Sequence, residues 1–182
     1  EFDELDKEFV NINEITSKKP IAEGGESILY PYENNSIAKI FKTDEESEVD
    51  ILFKSIILTR IWRKREILEN LNIQNHKVKF IYAKKVLFSR KNKLVGYIMD
   101  EVENGFSLSV LRNKEKIEEL GLTRKDVLEI LITVGEGIKI LHDKADIYIG
   151  DLNGDNILFD INKNVYFLDF DGMGIDDIAP TF

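Results

Sequence analysis

The spacing of apolar and polar residues changes several times along this chain, and each change marks an element. Ile21-Ala22-Glu23-Gly24-Gly25-Glu26-Ser27-Ile28-Leu29-Tyr30 has an apolar entry, a Gly-Gly turn and an apolar exit, which predicts a β-hairpin. After Pro31 and a turn at Glu33-Asn34-Asn35, Ser36–Phe41 predicts a third strand. Over 44–71 the period becomes helical. Asp44, Glu45, Glu46 and Glu48 suit a helix N-terminus, and Ile51, Leu52, Ile56, Ile57, Ile61, Leu68 and Leu71 form an apolar face. Lys77–Phe88 and Lys93–Val102 read as two strands with a turn at Ser89–Asn92, followed by the polar link Glu103-Asn104-Gly105. Leu108–Leu120 predicts a short helix stopped at Gly121. Thr123, with Asp126 three residues on, opens another helix, with Val127, Ile130, Leu131, Val134, Ile138 and Leu141 as its apolar face. Two short apolar runs close the pattern, Ile157–Phe159 and Val165–Leu168, joined by a turn at Asp160–Asn164. Residues 1–19 are polar and acidic with scattered apolar positions, and read as an N-terminal flap or tail.

Composition narrows the picture. A chain of 182 residues, 43% of them hydrophobic, can build one good-sized domain or two small lobes. No apolar run is long enough for a membrane span, and no secretory leader pattern opens the chain, so a cytoplasmic location is the default expectation. The absence of cysteine excludes disulfides and thiolate metal sites, and two histidines supply zinc poorly. A net charge of −9 argues against a general nucleic-acid binder, which wants a basic face. It says little about a nucleotide pocket, where a few placed cations suffice.

The candidate chemistry lies in Ile149–Asp171, which holds Asp151, Asp155, Asn156, Asp169 and Asp171 around the two short apolar runs. A hairpin there would bring the loop before its first strand close to the end of its second, so Asp151, Asn156 and Asp169 can converge. Carboxylates and an amide oxygen are hard ligands that suit Mg²⁺, which fills its remaining positions with water and phosphate. A carboxylate left off the metal can orient or deprotonate a hydroxyl. The bland alternative is a solvated acidic loop between strands. Upstream, glycines at the 24–25 turn would let backbone amides approach phosphates. Lys39, flanked by Ile37, Ala38, Ile40 and Phe41, is the cation best placed to be drawn out of solvent, with Lys42 as the alternative.

Ile149-Gly150-Asp151-Leu152-Asn153-Gly154-Asp155-Asn156 and Asp169-Phe170-Asp171 resemble the H-R-D-L-x-x-x-N catalytic loop and the D-F-G metal-binding segment of the protein-kinase-like superfamily. The closest likeness is to divergent bacterial Ser/Thr protein kinases. It covers residues 20–171 and includes the glycine hairpin, the Ala38-Lys39-Ile40 strand and a hinge-like link after Met99.

The resemblance implies an α+β, two-lobed fold. A small lobe at 20–102 would hold an antiparallel sheet and a long helix, and a partial, helical large lobe at 103–182 would hold a catalytic hairpin. It implies ATP and Mg²⁺ as cofactors and transfer of the γ-phosphoryl group to a hydroxyl. Asp151 would be the catalytic base, and Asn156 and Asp169 the metal ligands. Lys39 would contact the α- and β-phosphates and pair with a helix glutamate, Glu66 or else Glu48. Gly24, Gly25, Ser27 and Leu29 would form the phosphate flap. Met99, Asp100, Glu101 and Val102 would meet adenine. His142 would pack rather than react.

Departures from the family pattern keep the acceptor open between a protein and a small molecule. Gly150 stands at the usual Arg, Asn153 at a usual Lys, and Asp171 at the Gly of D-F-G. The glycine loop is degenerate, and only Gly172–Phe182 follow Asp171, where complete protein kinases continue into a peptide-binding platform. Aminoglycoside- or choline-type kinases and a non-catalytic nucleotide-binding scaffold are the alternatives.

Overall fold

In the computed structural model, which describes residues 6–42, 48–150 and 152–179, the chain is mixed α+β and divides into two units. The first takes residues 1–63 and 82–101, the second residues 64–81 and 102–182. The first unit begins with β1 (Lys7–Val10), α1 (Ile12–Thr16), β2 (Ala22–Glu23), β3 (Ser27–Pro31), β4 (Ser36–Phe41) and α2 (Glu48–Arg63). The second opens with α3 (Arg65–Gln74) and β5 (Val78–Phe80), and the first resumes with β6 (Lys85–Ser89) and β7 (Leu94–Asp100). The second then runs through β8 (Phe106–Ser107), α4 (Lys114–Glu119), α5 (Arg124–Ile140), β9 (Ile147–Tyr148), β10 (Ile157–Phe159), β11 (Val165–Phe167) and β12 (Gly174–Ile175). Among the described residues no helix is long and apolar enough to cross a membrane.

The first unit is a six-stranded sheet in the order β1-β6-β7-β4-β3-β2. The antiparallel pattern expected of it holds from β6 to β2 and fails at the edge, where β1 runs parallel to β6. The described part of the N-terminal segment is therefore built into the fold. Val10 and Ile15 are buried with Tyr30, Ala38, Ile40, Leu87, Val95 and Ile98 on one face of the sheet. β3 turns into β4 through Asn34 and Asn35, both in the left-handed region, and Ser36 N–H closes the turn on Glu33 C=O at 3.2 Å. Two successive positive φ angles match the right-handed twist of a hairpin, and asparagine tolerates them well. A bulge in β7 makes Val95 the extra residue between the Leu87–Gly96 and Phe88–Leu94 pairs. The bulge turns Val95 to the same side as Ile98, which strict alternation would not allow.

The single helix expected over 44–71 breaks at Lys64, whose φ of −94° and ψ of 2° leave the helical region. Asp44, Glu45 and Glu46 of its acidic start lie outside the described residues. Leu52, assigned to the apolar face, is exposed, whereas Leu58 is fully buried. The strand expected over Lys77–Phe88 is two strands in different sheets. Asn72 explains where the first one stops. Its side chain accepts from Phe80 N–H at 2.7 Å and donates to Phe80 C=O at 2.9 Å, occupying the strand end as a partner strand would.

The second unit carries a four-stranded sheet, β5-β11-β10-β8, and a two-stranded ribbon of β9 and β12. The short helix expected over Leu108–Leu120 is a 3₁₀ turn, Leu108–Arg112, followed by α4, because Asn113 caps α4 afresh through Glu115 N–H at 2.9 Å. Gly121, at φ 67°, stops it, and Leu122 N–H bonds back to Ile117 C=O at 3.0 Å. Thr123 and Asp126 form the reciprocal cap of α5. The buried face of α5 is Ile130, Thr133, Val134 and Gly137, and Leu141 at its end is also buried. Leu131, assigned to that face, is exposed. Gly137 explains the rotation: a Cβ there would lie 2.2 Å from Phe167, so the bare glycine fixes which side of the helix meets β11. Leu131 is one residue, about 100°, away from Ile130.

Candidate functional site

The acidic loop of the second unit is held by its own backbone and by two serines. Asn153 caps a 3₁₀ turn, Gly154–Asn156, by accepting Asp155 N–H at 3.1 Å. The Asp155 carboxylate accepts from Ser107 Oγ at 2.6 Å and Ser109 Oγ at 2.8 Å, and these two bonds hold its pKa below the usual carboxylate value. Gly154 lets the loop lie against that serine segment, since a Cβ there would stand 2.6 Å from Ser109 Oγ and 2.9 Å from Ser109 N. At the turn of the hairpin, Asp160 accepts from the Asn162 and Asn164 amides and from the Tyr166 hydroxyl, which sets the β10–β11 register.

Asn156 and Asp169 come to one end of this hairpin. Asn156 C=O accepts Leu168 N–H at 2.9 Å, one step beyond the Ile157–Phe167 pair, and Asp169 follows directly. Asp169 has φ 64° and ψ 43°, a left-handed conformation that costs a side-chain-bearing residue free energy and that Asp tolerates better than most. A 3₁₀ turn, Phe170–Gly172, then buries Phe170 edge-on to Phe80, with ring centroids 6.5 Å apart, and buries Asp171. Asp151, the expected base, lies outside the described residues.

The donor chemistry of Asn156 and Asp169, one amide and one carboxylate oxygen, fits Mg²⁺ that arrives with phosphate oxygens and keeps several waters. A cation held by protein alone would need more ligands. Among the described residues no cluster of three or more His, Asp or Glu forms such a cage.

In the first unit the Gly-Gly hairpin forms as expected. Gly24 N–H bonds to Ser27 C=O at 2.9 Å, and Ala22 pairs with Leu29. Neither Gly24 nor Gly25 is left-handed, and a Cβ on Gly25 would meet nothing within 4 Å. The turn does not need glycine for its own conformation, and what glycine leaves is bare backbone open to approach. Lys39 lies across from Leu29 on β3 and Tyr97 on β7, buried, with Nζ 5.5 Å from the Tyr97 ring centroid. Lys42 sits 2.7 Å from Glu23 and is partly exposed. Met99 is buried two residues from Tyr97 on the same side of β7. Asp100 is exposed, 3.5 Å from Lys84, and Glu101 N–H donates to Asn35 C=O at 2.9 Å.

Of the remaining expected residues, Val102 belongs to the second unit and is half-buried. Glu66, in the first turn of α3, has an exposed side chain 3.8 Å from Arg65. The Glu48 side chain lies outside the described residues. His142 is exposed and packs its ring 5.0 Å from that of Tyr148. Lys64 is largely buried and pairs with Asp176 at 2.6 Å.

Two features escaped the sequence reading. Lys54 is buried on α2, and its signal was available: a lysine inside Leu52-Phe53-Lys54-Ser55-Ile56-Ile57. The Ser107 and Ser109 contacts to Asp155 had none, since nothing local ties residues so far apart in the chain. No protein-family model matches this chain, and no curated protein matches it.

Proposed function

We propose that the chain is an ATP- and Mg²⁺-dependent phosphotransferase of the protein-kinase-like superfamily, acting on a Ser/Thr hydroxyl. The observation that carries this reading is the meeting of Asn156 and Asp169 at one end of the β10–β11 hairpin, five residues after Asp151 in the loop. The bare glycine turn and the buried Lys39 of the first unit support it, as does the order of elements in each unit.

In this reading Asn156 and Asp169 hold the metal, which screens the charge of the phosphate oxygens when bound. Lys39 draws on the α- and β-phosphates, and the turn at Gly24-Gly25 offers amide donors to them. The link after Met99 receives adenine, with Glu101 C=O and Val102 N–H as its groups, since Glu101 N–H is already bonded. Asp151 orients the acceptor hydroxyl and takes its proton as the γ-phosphoryl group moves in line from ATP to that oxygen and ADP leaves. A small-molecule acceptor is the second reading, favoured by Gly150, Asn153 and Asp171 at positions where protein kinases carry Arg, Lys and Gly.

Thermal unfolding with ATP, with and without Mg²⁺, tests the site. Saturation near a hundredfold over Kd adds about 2.7 kcal/mol, roughly 2–8 °C. The Mg²⁺-dependent part of the shift disappears in Asp169→Asn. Labelled ATP offered with a Ser/Thr peptide or a small polyol then identifies the acceptor, and Asp151→Asn binds but does not turn over. No shift at millimolar Mg·ATP overturns the reading.

A further inference from the structure

We propose that the exposed face of α5 is a self-docking surface, on which a second copy of this chain packs its own α5 antiparallel across a two-fold axis near Leu131. The proposal goes beyond the nucleotide reading and does not rest on it.

An amphipathic helix turns its apolar residues inward. α5 does so with Ile130, Thr133, Val134 and Gly137, and then keeps a second apolar stripe outside. Leu128, Leu131 and Ile132 are 59%, 48% and 54% exposed. Gly135 continues the stripe, exposed, with nothing within 4 Å of the place its Cβ would take. With each residue turning the helix by about 100°, these positions fall on one side of it, within roughly 100° of one another. A groove of about 500 Å³, lined by Ile117, Leu122, Val127, Leu128 and Leu131, widens the apolar surface toward α4. Single exposed leucines are ordinary on a protein surface, but a continuous stripe beside an apolar groove marks a place for a partner.

Charge selects the partner. Lys125 and Glu136 are exposed, and neither has a hydrogen bond or ion pair among the described residues. Their spacing of eleven residues is close to three whole turns. Both therefore stand on the flank of the stripe next to Ile132, about 16 Å apart along the axis. When two helices are related by a two-fold axis perpendicular to both, each flank faces the same flank of the other helix. An axis between residues 130 and 131 then sets Lys125 of each copy against Glu136 of the other, forming the pair twice. The same axis lays Leu128 against Ile132 of the second copy and brings the two Leu131 side chains together at the centre. Arg124 and Lys139 end the stripe, and Lys139 is already paired with Asp143, so no two bare cations are set against each other. One helix face thus carries its own complement, as closed two-fold association requires. A helix of another protein would have to supply an acid and a base at the same two points.

Sedimentation equilibrium from micromolar to roughly millimolar chain tests the proposal on wild type, Ile132→Glu, Lys125→Glu, Glu136→Lys and the double variant Lys125→Glu/Glu136→Lys. Wild type should form dimers as concentration rises, and nothing larger. Ile132→Glu should be monomeric. Each single reversal turns two attractive pairs into two repulsive ones and should weaken the dimer by about tenfold. The double variant restores both pairs in the opposite sense and should regain wild-type association. All three positions are exposed, so circular dichroism should show every variant folded, and recovery in the double variant separates lost pairing from lost structure. A wild type that stays monomeric throughout, or a dimer indifferent to Ile132→Glu, overturns the proposal. A dimer that Ile132→Glu breaks and that the single reversals weaken without recovery in the double variant also overturns it, since α5 then does not meet itself antiparallel.

Discussion

Asn156 C=O accepts Leu168 N–H at 2.9 Å, and this one backbone bond sets how far apart the two candidate metal ligands can be. Both side chains then leave from backbone that is tied down: Asn156 from a capped 3₁₀ turn, Asp169 from the left-handed start of another. A pair placed this way is ordered before any ligand arrives, which lowers the entropy cost of binding one.

Gly154→Ala tests how much that order depends on the serine clip. Its Cβ would stand 2.6 Å from Ser109 Oγ and 2.9 Å from Ser109 N, and the backbone nitrogen cannot rotate away. We expect a loss of about 1–3 kcal/mol in denaturant unfolding, together with a weaker Mg²⁺-dependent ATP shift. Wild-type values for both would mean that the loop re-seats without cost.

The glycines of α5 should respond in opposite directions. Gly137→Ala puts a methyl 2.2 Å from Phe167 and 3.0 Å from Val78, whereas Gly135 is exposed with nothing within 4 Å. Gly135→Ala gains helix propensity, about 0.5–1 kcal/mol. Gly137→Ala gains the same but must displace an aromatic ring, a net cost of roughly 1–2 kcal/mol. Paired urea melts read both.

Acid should loosen the hairpin before the rest of its unit. Burial pushes the Asp160 carboxyl up, but bonds from Asn164, Tyr166 and Asn162 outweigh it and leave the pKa below the usual value. Asp155 is lowered by Ser107 and Ser109. A depressed folded-state pKa means stability that is fully present above the unfolded value and lost as pH falls through the folded one. Amide exchange at Gly154–Asn156 and Asn162–Asn164 should therefore accelerate below the ordinary carboxylate range, and Asp160→Asn should flatten that response for the turn. Identical profiles in wild type and variant would remove Asp160 as the cause.

Lys39→Met and Lys42→Met separate the lysine within β4 from the one just past its end. Lys39 is buried over Tyr97, while Lys42 pairs with Glu23 at a partly exposed position. Only the first substitution should weaken ATP binding, by about tenfold or more for a lost charge-assisted contact. Equal weakening in both would move the phosphate contact away from Lys39.

Legibility in the sequence followed the range of the interaction. The Gly-Gly hairpin, the Thr123–Asp126 cap and the Asp160–Asn164 turn are local, and each formed where the residues predicted it. The approach of Asn156 to Asp169 was readable because a tight hairpin leaves its ends no choice. The parallel pairing of β1 with β6, the division of Lys77–Phe88 between two sheets and the burial of Leu58 in place of Leu52 were not, because partners distant in the chain decide them. Leu131 failed for a related reason. Periodicity locates an apolar stripe to within a residue or so, and a bare Gly137 against Phe167 chose which edge of it faced inward.

β5 is an edge strand whose parallel partner, β11, lies far along the chain, with Val78 paired to Val165 and Phe80 to Phe167. During synthesis Val78 and Phe80, both buried in the finished molecule, leave the ribosome with no strand to receive them. The first unit has its last strand by Asp100, while residues 64–81, which interrupt it in the sequence and belong to the second unit, still wait for the β10–β11 hairpin. A nascent chain in that interval exposes a short sticky edge, and slow translation between residues 101 and 167 is where aggregation or chaperone capture would begin.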